Sequence, residues 1–136
     1  MLFRSPFPAA IEDGFAAWTW LSRSAADLGV DPERVFVGGN SAGGGLAAVL
    51  AQRIVDTGGL QPAGQLLSFP MLDDRTAACR ELDDVSHPVW NNRSNRTAWT
   101  AYLGGEPGLG EIPAYAAAAR RDDLSGLPPA WVGTGS

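Results

Sequence analysis

The chain has 136 residues, of which 45% are hydrophobic and 18% charged, proportions that fit one ordinary globular domain and exclude a disordered or fibrous chain. Its formal charge of −5 argues against nucleic acid or an anionic membrane as partner, because either needs a basic face to displace counterions. All ten basic residues are arginine, so Schiff-base chemistry and every phosphate loop that depends on a lysine are ruled out.

In chain order, the opening residues hold no apolar run long enough for a signal peptide, and no later stretch has the length of a membrane span. Ile11, Phe15, Trp18, Leu21, Ala25 and Leu28 recur at intervals of three and four, which predicts a helix over residues 11–28 closed by Gly29. After the Asp31-Pro32 turn, the bulky and β-branched run 34–38 predicts a buried strand of a parallel sheet. A second helix is expected over 43–56, striped by Leu46, Val49, Leu50 and Ile54 and stopped by Gly58-Gly59. Residues 65–69 read as another buried strand ending at Pro70, so strand, helix and strand make a parallel crossover unit.

Residues 71–92 are acidic and without period, and are expected to form an irregular loop or cap-adjacent region. A helix over 94–103, stopped by Gly104-Gly105, and a last strand over 129–133 complete the reading. The fold class is therefore α/β, with three layers around a mostly parallel sheet. Three strands bury only a modest core, and the sheet edges are expected to be exposed.

The chemistry is carried by Gly39-Asn40-Ser41-Ala42-Gly43. This Gly-x-Ser-x-Gly sequence stands after a predicted strand and before a predicted helix, the context that gives the pattern meaning. To reverse from strand to helix in so few residues, the backbone must hold Ser41 in a strained conformation, and Gly39 and Gly43 are expected to relieve crowding on either side. The bend lifts the Ser41 hydroxyl above the sheet and presents the backbone N–H of Ala42 as an oxyanion donor. The bland alternative is a glycine-rich helix start with the pattern by chance. A dinucleotide loop built on Gly43, Gly45, Ala48 and Asp56 starts too late after the strand.

Four separated stretches, in order, carry a resemblance. They are Ser5-Pro6-Phe7-Pro8-Ala9-Ala10-Ile11-Glu12-Asp13, Gly38-Gly39-Asn40-Ser41-Ala42-Gly43-Gly44, Pro70-Met71-Leu72-Asp73-Asp74-Arg75 and Asp123-Leu124-Ser125-Gly126-Leu127-Pro128-Pro129-Ala130. Together they resemble the hormone-sensitive-lipase-like carboxylesterases of the α/β-hydrolase fold. The resemblance implies hydrolysis of short-chain acyl esters through a serine, a histidine base and an aspartate, with no metal or organic cofactor and a small ester as substrate; oligomeric state is left open. Carried over residue by residue, it places the nucleophile at Ser41 and one oxyanion donor at Ala42. Asn40 stands where the family usually has an acid, an exchange that keeps a hydrogen bond and loses its charge assistance.

The family's His-Gly-Gly oxyanion loop precedes the Ser-Pro-Phe-Pro stretch, and its acid and histidine follow the last strand. The expectation is therefore an internal piece of a hydrolase, truncated at both ends and inactive alone. The sole histidine, His87, falls too early to be the base, and Asp73, Asp74, Asp122 and Asp123 read as solvated or capping acids. Lone Cys79 makes no internal disulfide, and a reducing, cytoplasmic setting is the default. The competing reading is a non-catalytic remnant or an interaction module that pairs its open sheet edges.

Overall fold

A computed structural model describes residues 5–108 and 110–135. The first four residues, where no signal-type run is read, Leu109 and Ser136 lie outside them.

Helix α1 (Ala9–Ser24) buries Ile11 and Trp18, with Phe15 half-buried between them, so one apolar stripe faces inward. It ends earlier than the apolar spacing predicts. Past Ser24 the regular helix gives way to a closing turn, in which the Val30 N–H reaches back to the Ala25 carbonyl at 2.9 Å. Gly29, at φ +67°, makes this six-residue closure possible. Leu28 consequently leaves the stripe and is 48% exposed.

Strand β1 (Phe36–Asn40) begins two residues later than expected, because Pro32–Arg34 form a short 3-10 turn. Asp31 caps that turn by accepting the Glu33 N–H. Helix α2 (Ala42–Thr57) follows at once, and its end is closed by Gly58, whose N–H bonds back to Ile54 and Val55. Strand β2 (Gly64–Ser68) and, much later, β3 (Ala130–Gly133) complete a three-stranded parallel sheet in the order β1-β2-β3.

The register decides what the sheet shows to each side. Val37, Gln65 and Leu67 share one face and are buried beneath α1 and α2, in clusters that join Trp18 and Ile54 to Val37, and Ile11, Ala48 and Val49 to Leu67. Phe36, Leu66 and Trp131 share the opposite face and are 54%, 50% and 60% exposed. The strands expected to be buried are thus covered on one side only. Among the described residues, the sheet and its helices form two of the three expected layers.

The stretch read as structureless contains helix α3 (Arg75–Ala78) and a 3-10 turn at Arg80–Asp84. Helix α4 (Asn92–Leu103) packs against α3, and Asn91 caps it by accepting the Ser94 N–H at 3.0 Å. Asn92 and Asn95 are buried in that contact, bonding the Cys79 carbonyl, Asp83 and the Thr76 hydroxyl. No helix among the described residues is long and apolar enough to cross a membrane.

Candidate active site

Between the last residue of β1 and the first of α2 stands one residue, Ser41, at φ 55° and ψ −118°. Any side chain held there costs about 1–3 kcal/mol and must be fastened by its surroundings. The fastening is visible. The Ser41 N–H donates to the Ser68 carbonyl at 2.9 Å, and the Ser41 carbonyl accepts from Met71 and Gly45, each at 3.1 Å. Asn40 adds a side-chain bond from Nδ2 to the Ser68 hydroxyl at 3.2 Å. The bend is thereby tied to the end of β2 and to the chain that leaves it.

Glycines allow the close approach, but not at both predicted places. A Cβ on Gly39 would strike the Gly43 carbonyl, as expected. A Cβ on Gly43 would meet nothing within 4 Å. The crowding on the helix side falls instead at Gly45, whose Cβ would strike the Met71 carbonyl, and at Gly44, 3.0 Å from Pro70. The reason is that α2 turns these two positions, and not Gly43, toward the chain returning from β2.

As the first residue of α2, Ala42 has no carbonyl one turn back for its N–H to bond, and α2's sixteen residues add the positive end of a helix dipole there. Ser41 and Ala42 line a cavity of about 430 Å³ together with Gly45, Met71, Trp99 and Tyr102. Trp99 and Tyr102 meet edge to face at 5.9 Å, and burial pushes the Tyr102 phenol above its ordinary range, which keeps it neutral. The cavity is of the size and apolar character that small organic ligands fill.

The acidic residues lie elsewhere. Asp73 pairs with Arg75 at 2.8 Å and caps its N–H. Asp123 accepts from the Ser125 hydroxyl and N–H, which lower its pKa, and Asp122 is exposed. His87 lines a second, smaller cavity. Among the described residues, neither His87 nor any carboxylate is hydrogen-bonded to Ser41.

Asp74 departs from the solvated or capping role read for it. It is completely buried, accepts from Arg120 at 2.8 and 2.9 Å, and accepts from the Gly108 N–H at 2.7 Å. Burial alone would raise its pKa, but Arg120 and Gly108 together outweigh burial and hold it below the usual carboxylate range. With Gln52, which bonds the Ala118 carbonyl at 2.9 Å, this pair fixes the 116–118 wall of the Ser41 cavity. No local spacing in the sequence announces a contact between residues so far apart.

A family profile described as alpha/beta hydrolase fold matches residues 4–136. Esterase LipI of Mycobacterium tuberculosis is 38% identical over 129 residues, covering 93% of this chain and 39% of that protein. Carboxylesterase NlhH of the same species is 38% identical over 134 residues, covering 95% of this chain and 41% of that protein. A solved bacterial heroin esterase superposes with a TM-score of 0.86 at 37% identity, covering 96% of this chain and 42% of that structure. The chain thus spans about two fifths of the length of these relatives.

Proposed function

We propose, from the premise that this chain belongs to the alpha/beta hydrolase family of hormone-sensitive-lipase-like carboxylesterases, that it is the nucleophile-bearing part of a serine carboxylic-ester hydrolase. The observation that carries this reading is the placement of Ser41, alone between β1 and α2, on the wall of an apolar cavity.

In the proposed reaction Ser41 Oγ bonds to the ester carbonyl carbon while its proton passes to a base. The carbonyl electron pair moves onto oxygen, and the Ala42 N–H at the α2 terminus faces that developing charge. When the pair returns, the carbon–oxygen bond to the alcohol breaks, the alcohol leaves with the proton, and water later releases the acid from the acyl-enzyme. The limited cavity suits short acyl chains.

The proton in the first step needs an acceptor. The family resemblance puts the acid after β3 and the histidine farther along, while His87 lines the other cavity. A serine with no base at hand is a poor nucleophile, so residues 1–136 alone should turn over esters hardly at all.

A second reading, that of a non-catalytic interaction module, is favoured by the exposed Phe36, Leu66 and Trp131 face. Turnover of p-nitrophenyl butyrate by the gene's full product separates the two. Ester hydrolysis should fall by roughly 10⁴-fold or more in Ser41→Ala. Equal rates in both proteins would remove Ser41 from the mechanism.

A further inference from the structure

The Ser41 cavity of about 430 Å³ has a neighbour of about 160 Å³, lined by Leu82, Val85 and His87 among others. One residue lines both, Trp90. It stands directly before Asn91, the cap of α4, in a stretch whose other side chains from 81 to 89 are exposed. The indole is itself 44% exposed, so no tightly packed core fixes it in place.

We propose that Trp90 is a specificity-determining residue, a partition that limits how long an apolar arm of the ester can extend beside Ser41. This rests on the ester-hydrolase reading of that site. Truncating the indole joins the two cavities and adds the second volume, about 160 Å³, to the space open to an alkyl chain. Every methylene that finds room inside gains about 0.8 kcal/mol, or about fourfold in affinity. One that finds none gains nothing.

The test is a binding series of methyl n-alkyl ketones, from butanone to dodecanone, measured by calorimetry on the gene's full product carrying Ser41→Ala. Ketones are not hydrolysed, and the variant removes covalent addition, so the series reads the cavity whether or not Ser41 is a nucleophile. Affinity should climb about fourfold per carbon and then level off. Adding Trp90→Ala should move the levelling point to longer chains, and Trp90→Leu should place it between. The same levelling point in all three proteins overturns the partition, as does failure of every ketone to bind. Should Trp90→Ala not fold, Trp90→Leu carries the same comparison. Loss of Ser41-dependent turnover would strike the reaction and leave this series intact.

Discussion

Ser41 and Asp74 differ most in how far the sequence announces them. The bend at Ser41 was legible because it follows a local pattern: a glycine two before it, a helix after it and a strand ahead of it. Asp74 was not, because its partners Gly108 and Arg120 come together only through the tertiary fold. Its carboxylate is completely buried while Arg120 keeps some contact with water, so removing the acid strands a half-desolvated cation. Asp74→Ala should cost about 3–5 kcal/mol, read as a lower urea midpoint at unchanged slope. An unshifted midpoint would show that the pair contributes nothing. The pH dependence follows from the depressed pKa. Stabilisation is complete above the unfolded-state value of about 3.9 and disappears as the pH falls through the lower folded-state value. The gap between wild type and variant should therefore close below about pH 4.

At the level of elements, helices and strands were found where apolar spacing is regular, and their edges moved where capping took over. Strand β1 starts late because Asp31 nucleates a turn ahead of it, and the regular part of α1 ends at Ser24, ahead of its predicted closure at Gly29. The 71–92 stretch hid its structure for a different reason. Helix α3 and its following turn are too short to show a period, and their order comes from polar bonds to α4 through Asn92, Asn95 and Arg96. Helix α4 in turn depends on Asn91, whose side chain accepts the Ser94 N–H. Asn91→Ala should cost about 1 kcal/mol and, because α4 supplies Trp99 and Tyr102 to the cavity, should also raise hydrogen exchange across 92–103. Unchanged exchange there would mean that packing on α3 holds the helix without its cap.

For the whole molecule, the parallel sheet was readable from the alternation of strands and helices, while the face left bare among the described residues was not. Nothing in Phe36, Leu66 or Trp131 as sequence distinguishes a strand covered twice from one covered once. The same limit holds for the site, where Ser41 meets residues from α1, α2, α4 and the 116–118 segment around one cavity, and only Ser41 and the start of α2 were foreseen. The proposed reaction turns on whether the bend between β1 and α2 makes Ser41 the reactive group. The most direct measurement is treatment of the gene's full product with a fluorophosphonate, followed by peptide mass mapping. The adduct should sit on Ser41 and vanish in Ser41→Ala. A modified residue elsewhere, or a protein that stays unlabelled while hydrolysing esters, would contradict it.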